Sequence, residues 1–353
     1  MAQVVSVIVP AYNVAPYIEE CVLSLIRQTV PLDIIVVNDG STDDTSERVN
    51  AVHPGIHSVT LIEQQNQGLS AARNAGLRSA TGQFVGFVDG DDWVADDMFA
   101  TMVAQARAFD AELVICNGEM VDHRSGAGKP FHDNERFRSL AARHTASIDP
   151  LTVPDVFRLD TCACKRLYSR SLLEKADFQF AEGLLFEDVL AHYQLLLAAK
   201  RCLLLDSVFY RYRINHPGRI TDRRDRTVLT IFEILRRSQD SLRVHRVSGE
   251  VWANFIWFQS WVLRWLASQV DSAHQEMFLR EVVQVGRLIP RRGLRAFQSM
   301  FADDQVAQQA VTLQLFGCRQ SLKDLVTHGR PDGAVREGLL RPFAPFMGRL
   351  RPD

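Results

Sequence analysis

Val5-Ser6-Val7-Ile8-Val9-Pro10-Ala11-Tyr12-Asn13 is a short β-branched run that stops abruptly in polar residues. Such a run, apolar on both alternating faces, fits a strand buried on both sides, as in a parallel sheet covered by helices. Working outward, the same pattern recurs at residues 34–38, 58–63 and 84–89, with 112–117 as a fifth strand. Residues 16–28, 42–52, 69–79 and 96–109 carry helical spacing between these runs, opened by Pro16 in a first turn or by Ser41 and Thr42 as caps. Strands alternating with helices predict an α/β fold, a doubly wound and mostly parallel sheet.

Ligands of open sheets sit beyond the carboxyl ends of the strands. Three such ends are unusually polar: Pro10-Ala11-Tyr12-Asn13, Asn38-Asp39-Gly40-Ser41-Thr42-Asp43-Asp44 and Asp89-Gly90-Asp91-Asp92. In a parallel sheet these distant stretches meet in one crevice.

The remaining organisation is coarser. Residues 125–149 read as a loop or flap, followed by structured stretches at 153–159 and 166–175, a helix at 187–199 and a strand at 202–212. From Thr227 the reading is helical with wide apolar faces, including Trp252, Trp257, Trp261 and Trp265. These tryptophans offer apolar area for a homo-oligomer contact. The boundary falls at residues 225/226, giving a first domain over 1–225 and a helical domain over 226–353.

Composition narrows the function. Forty Lys and Arg against 42 Asp and Glu leave a net charge of −2, so the surface as a whole has no nucleic-acid footprint. The six cysteines are scattered, and Cys162-Ala163-Cys164 lacks the spacing of zinc or redox pairs, so all six are expected reduced. Met1-Ala2-Gln3 leads straight into a strand without a signal-peptide pattern, and the most apolar stretch, 251–266, is broken by Asn254, Gln259, Ser260 and Arg264. The expected location is cytoplasmic, at or away from the inner face of the membrane. Arg330, Arg336, Arg341, Arg349 and Arg351 beside Phe343, Phe346 and Met347 offer peripheral membrane attachment. A solvated or dimer-packing tail is the alternative.

Several motifs carry chemistry. Asp89-Gly90-Asp91 sets carboxylates two apart at a strand end, suiting a hard divalent ion shared with substrate phosphates, though the same acids can cap a helix. Asp39 can accept from a nucleobase imide or belong to a cap. Arg73, one turn into the helix begun by Gln67-Gly68-Leu69-Ser70, suits phosphate oxygens or solvent. Glu187-Asp188 either stabilises a helix N-terminus or supplies a general base on Asp188. The donor-rich turn from Tyr210 to Thr221, with His216 and Arg219, either covers a pyrophosphate or is a basic turn. Neither a dinucleotide-binding glycine fingerprint nor a P-loop is present in the sequence.

In order and spacing these motifs closely resemble glycosyltransferase family 2. The likeness rests on residues 5–13, Asn38-Asp39-Gly40-Ser41-Thr42-Asp43, Asn66-Gln67-Gly68-Leu69-Ser70-Ala71-Ala72-Arg73-Asn74 and Phe87-Val88-Asp89-Gly90-Asp91-Asp92. It extends through Lys165-Arg166-Leu167-Tyr168, Glu187-Asp188 and the loop to Thr221. The resemblance implies a GT-A fold and inverting, metal-dependent transfer from a nucleotide-sugar, usually a UDP-sugar, to a hydroxyl of a cell-surface glycan, polymer or lipid-linked acceptor. By that similarity Pro10, Tyr12, Asn13, Asp39, Gly40 and Ser41 line the nucleoside, and Asp89 the ribose or diphosphate. Asp91, with Asp89, holds Mn²⁺ or Mg²⁺; Arg73, His216 and Arg219 lie near the donor; Asp188, beside Glu187, is the base. A non-catalytic nucleotide-sugar-binding subunit of a polysaccharide assembly complex is the competing expectation. Residues 226–353 match no motif and are left to acceptor binding or oligomerisation.

Overall fold

The computed structural model describes residues 4–218 and 225–316. Arg219 and the basic, aromatic tail lie outside the described residues. The first unit runs β1 (Val5–Ala11), α1 (Ala15–Ile26), β2 (Leu32–Asn38), α2 (Thr45–Asn50), β3 (Ser58–Glu63), α3 (Leu69–Ser79) and β4 (Phe84–Phe87). β3, β2, β1 and β4 lie side by side in that order and are parallel. β1 and β2 are buried at every position, which is why their sequences are apolar without alternation. The one hydroxyl inside β1, Ser6, donates to Asp33 Oδ2 at 2.7 Å and accepts from the Thr81 and Gly82 amides, so its burial leaves no orphan.

Beyond β4 the sheet becomes mixed. The chain continues β5 (Trp93–Val94), α4 (Met98–Ala108), β6 (Leu113–Asp122), β7 (Gly128–Pro130), α5 (Asn134–Arg143), β8 (Arg166–Ser169), α6 (Arg170–Lys175), α7 (Glu187–Ala198) and β9 (Cys202–Ile214). The full order is β3-β2-β1-β4-β8-β6-β9-β5, with β7 beside β6. The fifth sequence-expected strand therefore does not adjoin β4, because β8 inserts antiparallel to both neighbours. The expected flap at 125–149 contains a strand and a helix; α5 buries only Phe137, Leu140 and Ala141, too narrow a stripe to stand out in a charged segment. The helix expected from Thr42 begins at Thr45, since Ser41 and Thr42 bond to Asn13 instead.

Five further helices follow: α8 (Ile231–Val244), α9 (Gly249–Ala267), α10 (Gln275–Arg287), α11 (Arg291–Met300) and α12 (Gln305–Phe316). The apolar faces of α8, α9 and α10 join the core of the α/β part, as where Tyr193 of α7 meets Phe255 and Phe258 of α9 at 5.0 and 5.8 Å. Trp252 is fully buried there, and Trp257, Trp261 and Trp265 pack partly against the same core, which accounts for much of the apolar area the sequence shows. Helices α11 and α12 form a second, smaller cluster against Ala253 and Ile256 of α9. Among the described residues no helix is long and apolar enough to cross a membrane. The five described cysteines are free thiols.

Candidate active site

The carboxyl ends of β1, β2 and β4 open on the same side, and the loops after them interlock. Ser41 accepts from the Asn13 amide at 2.9 Å, while Asn13 Oδ1 accepts from the Thr42 amide at 2.8 Å. Gly40 has φ 75°, and a Cβ there would fall 2.9 Å from the Asn66 nitrogen, so the close approach of two loops requires glycine. Pro10 lies within buried β1, whereas the Tyr12 ring is 49% exposed at the crevice mouth.

Asp39 is only 3% exposed. Its Oδ1 accepts from Gln64 Nε2 at 2.7 Å and the Gln67 amide at 2.8 Å, and Oδ2 from the Gly68 amide at 2.8 Å. These bonds bind the end of β2 to the first turn of α3, where a carboxylate also suits the helix dipole. A carboxylate has about four acceptor positions, so three bonds leave Asp39 one to offer a ligand. Gly76 completes the placement of α3: a Cβ there would fall 2.4 Å from Ile8 Cγ2, so glycine lets the helix lie directly on β1.

With α3 so placed, Arg73 points inward and is 1% exposed. Its NH2 donates to Asp89 Oδ1 at 2.8 Å, and its NH1 to Glu187 Oε1 and Asp188 Oδ1, both at 2.7 Å. The sequence leaves Arg73 between phosphate and solvent; the structure instead uses its fork to gather three carboxylates from β4 and α7. One positive charge faces three acids. Burial, with Asp188 beside it and Arg73 opposing, pushes the Glu187 carboxyl up to about 7, and burial likewise raises Asp89. The second oxygen of Asp188 accepts from the Ala163 amide at 3.2 Å, which fixes the plane of the carboxylate.

The rest of the β4 turn is held from β9. Asp92, 1% exposed, accepts from Tyr210 Oη at 2.6 Å and the Arg213 amide at 2.7 Å. Arg213 also donates from Nε to the Asp91 carbonyl and from NH2 to Glu20, both at 2.7 Å. Tyr210, Arg213 and Glu20 are site-shaping residues that the sequence reading missed as such. For Tyr210 and Arg213 the signal was the donor-rich run before Thr221, read there as a cover for pyrophosphate or a basic turn; Glu20, on α1, carried no such signal.

These contacts leave the Asp91 side chain facing His216, whose Nε2 lies 3.1 Å from Asp91 Oδ2. His216 Nδ1 is 3.0 Å from the Pro217 carbonyl, and as donor there it leaves Nε2 with a bare lone pair. Nε2 is buried and makes no hydrogen bond. A nitrogen lone pair against a carboxylate oxygen is repulsive unless a cation stands between them or the ring is protonated. A nitrogen beside a carboxylate oxygen suits Mn²⁺ better than the harder Mg²⁺, with substrate phosphates and water completing the shell. Asp89, its Oδ1 engaged by Arg73, has its second oxygen to contribute. Among the described residues no three His, Cys, Asp or Glu side chains form a ready metal cage.

Residues 6–176 match the sequence profile described as glycosyl transferase family 2. Over that stretch, just under half of its length, the chain is similar to this family. Curated relatives include "Uncharacterized glycosyltransferase EpsJ" of Bacillus subtilis, 35% identical over 226 residues, covering 63% of this chain and 64% of the relative. "Uncharacterized glycosyltransferase YibD" of Escherichia coli is 31% identical over 221 residues, covering 60% and 62%. This chain thus spans somewhat under two thirds of the length of each. A solved structure of S. aureus TarS residues 1–349 in complex with UDP-GlcNAc superposes with a TM-score of 0.73 over 95% of both chains at 20% identity. The likeness runs through α8 to α12 and establishes the mixed α/β fold with its helical extension, matching the expected GT-A architecture.

Proposed function

We propose that this protein transfers a sugar from a UDP-sugar to a hydroxyl of a glycan or polymer acceptor, in one displacement that inverts the anomeric centre. The observation that carries the proposal is the Arg73 fork, which brings Asp89 and Asp188 into one pocket from positions 99 residues apart (188 − 89 = 99). UDP is the preferred nucleotide because the TarS structure that shares this fold holds UDP-GlcNAc.

In this reading the loops at Pro10–Asn13 and Asp39–Ser41 take the nucleoside, with the Tyr12 ring free to lie against the base and one Asp39 acceptor position for its imide. Asp91 and His216 would hold Mn²⁺ or Mg²⁺, with Asp89 toward the donor phosphates; a bound ion neutralises charge on the departing diphosphate. Asp188 takes the proton from the acceptor hydroxyl as that oxygen attacks from the face opposite the diphosphate. Arg73 holds Asp188 in place, and Glu187, able to carry a proton near neutrality, limits the charge crowded around the base. Residues 1–225 then form the catalytic domain, and 226–353 support acceptor binding.

Release of UDP from a panel of UDP-sugars with Mn²⁺, with and without added glycan, tests the reading. Turnover of one sugar well above its uncatalysed rate is expected. Tight UDP-sugar binding with no UDP release on any glycan would assign the chain to binding without catalysis.

A further inference from the structure

The chain carries a half-open aromatic face that the donor site does not use. Trp257, Trp261 and Trp265 recur every four residues on α9 and so share one stripe of the helix. The Trp257 end is closed: Arg136 and Arg158 lie over its ring at 4.8 and 5.5 Å, and its Nε1 donates to Asp304 at 3.0 Å. The other end is half-buried. Trp261 and Trp265 present nearly parallel planes, 11° apart, with centroids 6.4 Å apart. Neither ring is fully buried, and among the described residues neither indole N–H has a hydrogen-bond partner. His132, with its side chain 44% exposed, stacks on Trp261 at 4.9 Å and 15°.

This face leads to the base from two directions. On one side Trp265 meets Phe186 edge to face at 6.2 Å, and Phe186 precedes Glu187-Asp188 in the chain. Phe186 has φ 66°, a left-handed conformation that is strained for an aromatic residue and persists only where its surroundings enforce it. On the other side His132 Nδ1 approaches Asp160 Oδ2 at 3.8 Å, Asp160 accepts from the Cys162 amide at 3.1 Å, and the next amide, of Ala163, donates to Asp188. Side-chain contacts and chain neighbours together close a ring: Asp188, Phe186 two residues before it, Trp265, Trp261, His132, Asp160, and back to Asp188 through the Cys162–Ala163 backbone.

From this ring we propose the acceptor site: a saccharide unit rests its C–H face on Trp265 and Trp261, bonds its hydroxyls to the indole N–H groups and His132, and directs one hydroxyl to Asp188. Pyranose rings have an apolar C–H face with partial positive charge, matching the negative face of an indole, and burying it against the indoles adds hydrophobic stabilisation. The inference rests on Asp188 acting as base, and it names the acceptor class as saccharide.

The test uses the full chain, the UDP-sugar that the wild type hydrolyses, and an array of neutral and anionic oligosaccharides as acceptor probes. The wild type should label saccharides on the array. In Trp265→Ala the acceptor KM should rise about tenfold or more, with Trp265→Phe recovering most of it, while the donor KM moves by less than about twofold. His132→Ala alters an exposed ring, so the variant keeps the core intact, and its acceptor KM should rise severalfold. An unchanged acceptor KM in folded Trp265→Ala and His132→Ala overturns the proposal, as does labelling confined to acceptors without sugar. A wild type that hydrolyses no UDP-sugar removes the transfer reading itself, and this site with it.

Discussion

Two acid clusters lie at the end of the same strand, and they are built differently. Around Arg73 one cation ties together Asp89, Glu187 and Asp188 at 2.7–2.8 Å. At Asp91 the carboxylate faces a buried imidazole nitrogen at 3.1 Å that forms no hydrogen bond. The first cluster is complete within the protein, which suits the proposed task of holding a base. The second is incomplete without a proton or a cation, which is the property expected of a site that loads its charge together with a substrate. The Arg73 cluster should therefore be sensitive to removal of a protein group, and the Asp91 pair to removal of metal.

The largest effect is expected from Arg73→Ala. Removing one partner of a buried ion network leaves uncompensated charge, at about 3–5 kcal/mol. Chemical denaturation should show that loss, and a change below about 1 kcal/mol would mean that the fork is not holding the acids.

Next in size is His216→Ala. Loss even of an outer-shell partner commonly weakens metal binding about 10–100-fold, so loss of a direct ligand should weaken Mn²⁺ binding at least tenfold. Electron paramagnetic resonance titration with Mn²⁺ and UDP reads this directly. The variant should otherwise melt near the wild type, in contrast to Arg73→Ala; equal Mn²⁺ affinity would place the ion elsewhere.

The smallest effect concerns Glu187, whose carboxyl is held near 7 against an ordinary value of 4.5. A raised carboxyl pKa means that the folded state binds the proton more tightly than the unfolded chain. The resulting stability is fully present below about 4.5 and lost as pH rises through about 7. Arg73, Asp188 and Asp89 face this group and oppose or reinforce the shift. In Glu187→Gln the fall in stability across that window should flatten; an identical pH profile of denaturation midpoints in the variant would place the titration on another group.

The part of the fold that depends on local pattern was legible. Strands buried on both faces need continuous apolar runs, so β1, β2 and β4 stood out, and the polar residues after them marked the crevice. β3, at the sheet edge and only partly buried, showed the weaker pattern of a mixed run. What the pattern did not carry was pairing at long range. The four residues of β8 intervene between β4 and β6 because of register, and nothing in Arg166-Leu167-Tyr168-Ser169 states which neighbours it takes. The site was legible by residue type and not by partner. Asp39, Arg73, Asp89, Asp91, Asp188 and His216 were named, yet nothing in the sequence shows that the partners of Arg73 are three acids. Only the close approach allowed by Gly76 and the anchoring by Asp39 turn it inward. Tyr210 and Arg213 were seen as donors, but their acceptor, the turn at Asp91 and Asp92, lies 118–122 residues away.

The central claim is that Asp188 is the proton acceptor in transfer from a nucleotide-sugar. Replacing it by Asn keeps the shape and one oxygen for Arg73 but removes the basic site. UDP release in the presence of acceptor, compared between wild type and a folded Asp188→Asn, tests this most directly. A drop of about 10²–10⁴-fold with UDP-sugar affinity retained is the predicted result, and turnover within a few-fold of wild type would contradict the account.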